Sequence, residues 1–492
     1  MASEPPRSTQ RAPLSCSQCY KRKIRCDKKS PCKSCIARGI ALECKRETVQ
    51  VRGRIYAGSN DQSDRSYSDL VQENIRLRAL IAGSQQQRHD TEVSEANSDI
   101  CQLSESRVAQ AERLLFNRIA QTSKPRSVKQ YSNVLIPSKS VSDGVVAYGL
   151  QRTFWLHFAL FIPEFQQEYG DFWARYSEDQ SYEHTHPFWL AIYFSVLASA
   201  LLFMGDEQVA CLGSNVKRTD LLQNWYESAL FFLDTGDFTQ RSDTRVVKSI
   251  AILGTLFTCM GDNARYKALW SVALHQAQEI GMHQESLNQG ETYSQQQTRR
   301  RLWWTLVVCE WLPVPLHIPF VNDFDFDCKV PDEVDDEELA NVGGGSRLAR
   351  SRPRGIRYHI AMIQIARISY QLHYRLRLKG WKRAELTRSV FAADEELADL
   401  INDLPAYLQF SEAPTESTRK RDELYIWIPW QRRSLTQVLL YYRMAIARTL
   451  QEHWLEGSLA SARTRAICKS SAQALIYSTT EELLDASKLR PW

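Results

Sequence analysis

The sequence predicts a mainly α chain: a small cysteine-rich head, a linker, a short coiled coil and a large all-α body. Three observations carry this. Six of the twelve cysteines fall between Cys16 and Cys44. Charge is uneven, with 14 Lys/Arg against 4 Asp/Glu in residues 1–54, although the whole chain of 492 residues carries only +5. From about residue 148 apolar residues recur with a helical period, and strand alternation is scarce. A chain of this length is expected to hold more than one unit.

The head reads CSQCYKRKIRCDKKSPCKSCIARGIALEC, with spacing C-x2-C-x6-C-x5-C-x2-C-x8-C. A C-x2-C pair lets two thiolates reach one metal from a single turn of chain. Soft thiolates in a tetrahedral set suit zinc. One zinc would leave two cysteines idle, and two separate zincs would need eight ligands. Two zincs sharing two bridging cysteines is the economical solution for Cys16, Cys19, Cys26, Cys32, Cys35 and Cys44. Six thiolates and two zinc ions leave a net −2, which Lys21, Arg22, Lys23, Arg25, Lys28, Lys29 and Lys33 offset, making the surface basic. The six remaining cysteines are scattered, which suits a reducing compartment and not a secreted disulfide framework.

This stretch resembles the fungal binuclear zinc-cluster domain of two-zinc, six-cysteine transcription regulators. All six cysteines have counterparts, as do the basic run after the second and Pro31 before the fourth. The resemblance implies that Cys16 and Cys32 bridge, that Cys19 and Cys26 complete one site, and that Cys35 and Cys44 complete the other. It implies that the first helix points its C-terminal end into the major groove of double-stranded DNA. There Lys23 would touch bases, usually of a CGG triplet. Arg22 precedes it, and arginine can take guanine O6 and N7 bidentately. Lys21, Arg25, Lys28 and Lys29 complete the expected DNA-binding set. The run KRKIRCDKK also reads as a nuclear-import signal, so the expected location is the nucleus.

Residues 1–15 read as a polar, disordered tail without the apolar stretch of a signal peptide. Residues 45–66 read as a linker that can span at most about 70 Å, which permits several half-site spacings. In residues 67–83, Tyr67, Asn74 and Ile81 recur every seven residues, as do Leu70 and Leu77. They fit the a and d positions of a short parallel coil, with Asn74 favouring a paired register. A homodimer is therefore expected, with an ordinary amphipathic helix as the plainer reading. Residues 84–147 read as mostly disordered linker, rich in Ser, Gln and Asn and broken by Pro125 and Pro137.

In the body, 148–492, helices are predicted over 150–161, 187–204, 218–235, 243–259, 264–281, 296–312, 358–378, 387–402, 430–453 and 459–486. The apolar run 188–204 is short for a membrane span and lacks basic flanks, so it reads as a buried helix; no membrane association is expected. The body resembles the fungal-specific transcription factor domain, the middle homology region. The resemblance rests on HPFWLAIYFSVLASALL, on RRRLWWTLVVCEWLPVPLHIPFVNDFDFDCKVPDE and on LINDLPAYL. Glu310-Trp311 and His317-Ile318-Pro319 depart from the usual pattern, which leaves no ligand role to carry over to that loop. Trp303 and Trp304 read as core anchors before an aromatic binding box. The acidic run from Asp323 to Glu338 reads as a structured loop followed by a solvated insertion. Acid-plus-aromatic composition also suits recruitment of transcription machinery. The basic segment 343–357 could answer that acidic run. His184 and His186 lack a neighbouring ligand set. No phosphate loop, G-x-S-x-G elbow or H-E-x-x-H is present, so no enzyme is expected.

The expectation is a zinc-dependent transcription factor of RNA polymerase II genes, specific to one pathway of fungal metabolism. It would bind CGG-like triplets as a homodimer, with co-regulators or a small-molecule effector acting on the body. The alternatives are a repressor or non-activating accessory regulator, a monomeric binder of one half-site, and an enzyme-like body tethered to DNA. A helix close to Trp492 leads us to expect no long C-terminal activation segment.

Overall fold

The computed structural model describes residues 7–8, 15–28, 31–44, 49–51, 54–56, 127–179, 181–211, 217–288, 290–313, 318–340, 352–378, 381–454 and 458–484. Lys29 and the coil positions Tyr67, Leu70, Asn74, Leu77 and Ile81 lie outside them. The chain divides into two compact units, Met1–Asp99 and Ile100–Trp492.

The first unit holds two one-turn helices, α1 (Ser17–Lys21) and α2 (Lys33–Ile36), and a 3₁₀ turn at Ala41–Glu43. Three short strands accompany them: β1 (Arg7–Ser8), β2 (Val49–Val51) and β3 (Arg54–Tyr56). β1 pairs parallel to β2, and β2 pairs antiparallel to β3. The expected tail and linker thus contribute paired backbone at these residues. Among the described residues of this unit, the buried centre is the cysteines, with Ile24 and Ile40 packed against them.

The second unit is helical among the described residues. Its first core surrounds α5 (Pro187–Phe203), whose residues Phe188 to Phe203 are all buried. His186 accepts from the Phe188 N–H and Pro187 fills the first turn, so the helix begins where an N–H would otherwise lack a partner. Around α5 lie α3 (Lys139–Arg152), α7 (Arg218–Thr235) and α8 (Thr244–Cys259). α4 (Ile162–Asp179) and the short α6 (Asp206–Ala210) connect them. α9 (Asn263–Glu279) and α10 (Tyr293–Trp311) pack against α8. No described helix is long and apolar enough to cross a membrane.

After α11 (Asp336–Ala340), a second core forms from α12 (Ile356–Leu378), α13 (Arg383–Asp403) and α15 (Ile428–Arg448). α14 (Glu416–Leu424) is a surface helix, and α16 (Leu459–Leu484) packs on α15. α12 joins the two cores, because Ile363, Ala366 and Tyr370 face the first while Ile365, Ile368 and Leu372 face the second.

Three expectations need correction. The body begins earlier than residue 148. Ser127 and Val128 donate backbone N–H bonds to Glu227, Leu135 donates to Asn224, and Trp225 returns an indole N–H to the Leu135 carbonyl. Ser138, read as linker, caps α3, and Ser142 is buried against the Tyr193 hydroxyl at 2.7 Å. The predicted helix 150–161 is instead the end of α3, a 3₁₀ turn at Phe154–Leu156 and an irregular stretch before α4.

The second half of the acidic run is a clamp and not a solvated insertion. Asp336 pairs with buried Arg301, Glu338 takes Arg354 at 2.8 Å, and Glu333 and Glu337 pair with Arg357 and Arg352. Asp335 accepts the Gly355 and Ile356 N–H groups at the start of α12. The basic segment does answer the acidic run, through Arg352, Arg354 and Arg357.

Candidate metal centre and nucleic-acid interface

The metal centre is built from one local device used twice. Cys16 sits just before α1 in an extended conformation, and its sulfur accepts the Cys19 N–H at 3.4 Å. Cys32 holds the same place before α2. Each helix therefore carries its first cysteine at the N-cap and its second one turn in, where both sulfurs face inward.

The sulfurs converge. Cys16 Sγ lies 3.9 Å from Cys32 Sγ and 3.7 Å from Cys35 Sγ, and Cys19 Sγ lies 3.5 Å from Cys32 Sγ. These separations are far too long for a disulfide, and all six cysteines are free. A tetrahedral ZnS₄ site with Zn–S bonds of about 2.3 Å places its sulfurs about 3.8 Å apart. The donors form two groups of four, Cys16, Cys19, Cys26 and Cys32, and Cys16, Cys32, Cys35 and Cys44. Within each group the sulfurs lie within 4.8 Å of one another, and Cys16 and Cys32 belong to both. All but Cys26 are buried. Burial pushes the Cys19, Cys35 and Cys44 thiols up, whereas at Cys16 and Cys32 burial is outweighed by hydrogen bonds from the Cys19 and Cys35 N–H groups and neighbouring thiols, which pull them down. Six soft donors this close hold as thiolates only around cations, so the residues fit zinc.

The rest of the head fixes this geometry. Asp27 accepts the Lys33 N–H at 3.1 Å, which caps the start of α2. Ser34 Oγ donates to the Arg25 carbonyl, and Gln18 donates to Glu43 across the unit. Lys21, Arg22, Lys23, Arg25 and Lys28 are all exposed. Lys21 closes α1, Arg22 is its C-cap, and Lys23 stands just past its end with φ 53°. Lys28 also has positive φ, at 66°. Lys21, Arg22 and Lys23 thereby stand at the C-terminal end of one helix and the turn after it, and Arg25 and Lys28 follow in the irregular stretch beyond. At the helix end the dipole favours cations.

The candidates in the body resolve differently. His186 caps α5, and among the described residues only the head cysteines group as metal ligands. Trp303 and Trp304 are fully buried against Phe326, and Trp304 donates to the Lys329 carbonyl at 2.9 Å. They are core anchors. Sequence reasoning missed what the three arginines at the head of this motif do. Arg299 pairs with Glu291 and Glu285, Arg300 with Glu285, and Arg301 with Asp336. Burial alone would raise the Glu285 pKa. Hydrogen bonds from Arg300 and the Lys329 N–H, with the Arg299 charge, outweigh it and hold the carboxyl at about 2. An R-R-R run leading directly into the apolar half of a helix was the available signal, since three buried cations need acids nearby.

Comparison with known proteins agrees with both halves. The family described as fungal Zn(2)-Cys(6) binuclear cluster domain matches residues 14–53, and that described as fungal specific transcription factor domain matches 152–427. The agnestins biosynthesis cluster transcription factor AgnL11 of Paecilomyces divaricatus is 21% identical over 459 residues, covering 82% of this chain and 66% of that protein. The Zn(2)-C6 fungal-type transcription factor pigI of Monascus ruber is 48% identical over 44 residues, 8% of this chain and 5% of that protein. This chain therefore spans less than two thirds of each of these relatives. Among solved structures, the K. lactis CBF3 core aligns with a TM-score of 0.51 at 14% identity, covering 77% of this chain and 75% of that one. That likeness shows the fold alone.

Proposed function

The chain belongs to the fungal-specific transcription factor family with a zinc-cluster domain at its N-terminal end, and on that premise we propose that it binds two zinc ions and reads CGG-like triplets in double-stranded DNA to control one pathway. The observation that carries this is the pair of sulfur tetrads sharing Cys16 and Cys32, with the exposed basic turn Lys21–Arg25 beside them. Two ions would take the eight ligand places that six thiolates supply with two bridges.

Lys23 and Arg22 would meet base edges, while Lys21, Arg25, Lys28 and Lys29 would meet phosphates and carry the salt-dependent part of affinity. Pairing through Tyr67, Leu70, Asn74, Leu77 and Ile81 would duplicate the head, and half-site spacing would then supply specificity. The helical body would receive co-regulators or a small-molecule effector. A relative named for a biosynthesis cluster supports a pathway-specific role, exercised in the nucleus.

The test is selection of the full chain on a randomised DNA pool, with zinc and with chelator. Paired CGG-like triplets at a set spacing, lost with chelator and with Lys23→Ala, are the expected result. Single triplets would remove the homodimer from the proposal. No enrichment with two zincs bound would remove triplet reading.

A further inference from the structure

The two cysteine knuckles superpose in sequence with an offset of sixteen: Cys16 and Cys32, Cys19 and Cys35, Tyr20 and Ile36, Lys23 and Gly39, Ile24 and Ile40. The backbone repeats with the same offset. Tyr20 N–H donates to the Cys16 carbonyl at 3.0 Å, as Ile36 does to Cys32. Lys23 N–H donates to the Tyr20 carbonyl at 3.1 Å, as Gly39 does to Ile36 at 3.0 Å. Ile24 N–H donates to the Cys19 carbonyl at 3.1 Å, as Ile40 does to Cys35 at 3.1 Å.

A bond to the carbonyl five residues back, closed over one three residues back, is the Schellman ending of a helix. Its last-but-one residue must be left-handed, and both are: φ is 53° at Lys23 and 70° at Gly39. Ile24 and Ile40, the following residues, pack on the cysteines as the apolar partner this ending uses.

Glycine takes that conformation freely, whereas a side chain resists it. The second knuckle carries glycine and the first carries lysine. Nothing crowds Gly39, since a Cβ built there meets no heavy atom within 4 Å. The two positions therefore differ in conformational strain and in the side chain presented, and not in available room. Cys19 and Cys26 flank the strained turn, and both sulfurs lie in the first tetrad.

We propose that the left-handed cap turn is the positioning element of the reading head: it aims the Lys23 side chain past the end of α1, at a place where glycine would be more stable, and Gly39 is the relaxed, non-reading copy of that position. This rests on the reading of Lys23 as the base-contacting residue. Strained backbone clusters where function requires it, and the clamp by metal ligands on both sides is what would hold it.

The test compares full-length variants for zinc retention against a chelator and for triplet selection from a DNA pool. Because zinc binding and folding of such a head are one equilibrium, relief of strain should appear as zinc retention. Lys23→Gly should hold zinc about 5- to 30-fold better than Lys23→Ala, and Gly39→Ala should hold it worse than the parent by a similar factor. Both Lys23 variants should lose triplet selection, and Gly39→Ala should keep it. Arg22→Lys combined with Lys23→Gly moves the ammonium one residue back onto the helix. It should hold zinc well and still fail to select. Equal zinc retention by Lys23→Gly and Lys23→Ala would overturn the strained cap. Triplet selection by the shifted lysine would overturn the positioning role. If the parent chain selects no triplet, the base-reading premise fails and the positioning role with it. The zinc comparison then still measures the cap by itself.

Discussion

Replacing Cys32 by serine should empty both metal sites, whereas Cys26→Ser should weaken one. Cys32 Sγ stands in both tetrads, and Cys26 Sγ in one. Cys32 is fully buried, while Cys26 is partly exposed and could be replaced by a solvent water. Structural zinc binding amounts to about 10–16 kcal/mol across four ligands, so one thiolate carries roughly 3 kcal/mol, or about 100-fold in affinity. Cys26→Ser should therefore leave one zinc at parental affinity and a second about 100-fold weaker. Cys32→Ser should weaken both ions by about 100-fold each. It also removes the sulfur 3.5 Å from Cys19 and 3.9 Å from Cys16, so the two tetrads lose their shared edge. The assay is zinc content by mass spectrometry of the intact chain, with release followed by a colorimetric chelator. Expected stoichiometries at moderate chelator are two for the parent, one for Cys26→Ser and none for Cys32→Ser. Equal losses for the two variants would refute a shared-ligand cluster. Retention of two zincs by Cys32→Ser would refute Cys32 as a ligand.

Three further outcomes follow from the same geometry. Glu285 is held at about 2 against an ordinary 4.5. Its ion pairs with Arg299 and Arg300 therefore contribute fully above pH 4.5 and are lost as pH falls toward 2. The melting-temperature gap between the parent and Glu285→Gln should shrink over that window; a constant gap would contradict it. Gly236→Ala should destabilise the body by about 1–3 kcal/mol in denaturant titration, because its Cβ would fall 2.2 Å from Cε1 of the buried Phe188 ring. Unchanged stability would mean that the contact between the end of α7 and α5 is looser than described. Lys21→Ala should lower DNA affinity evenly across sequences and reduce the salt slope by about 1, read by fluorescence anisotropy at several salt concentrations; a change in triplet preference would count against a phosphate contact.

Much of the fold was legible because its signals are local. The predicted helix 218–235 is α7 residue for residue, and the predicted ends of the helices forming α8, α9, α12 and α13 fall within four residues of those observed. Period alone decides such segments once apolar residues recur on one face. The misreadings share a cause. Ser138, Ser142 and Pro137 are loop-like by composition, yet Ser142 is buried by Tyr193, which lies 51 residues away. The acids at 332–338 are solvated by composition, yet Arg301, Arg352, Arg354 and Arg357 reach them from 15 or more residues away.

By itself the sequence pointed to the candidate ligand set and the basic turn, because all six cysteines fall in one short stretch and the C-x2-C spacing sets which sulfurs share a helical turn. Its family resemblance, and not its spacing, pointed to Cys16 and Cys32 as the shared pair. Tertiary structure decided the rest: that these two sulfurs belong to both tetrads, that Lys23 and Gly39 occupy one left-handed cap, that the body begins by residue 127, and that its arginines and acids close on one another. Those facts depend on contacts between residues distant in the chain and on backbone angles that residue type only biases. Only packing into a single structure fixes them.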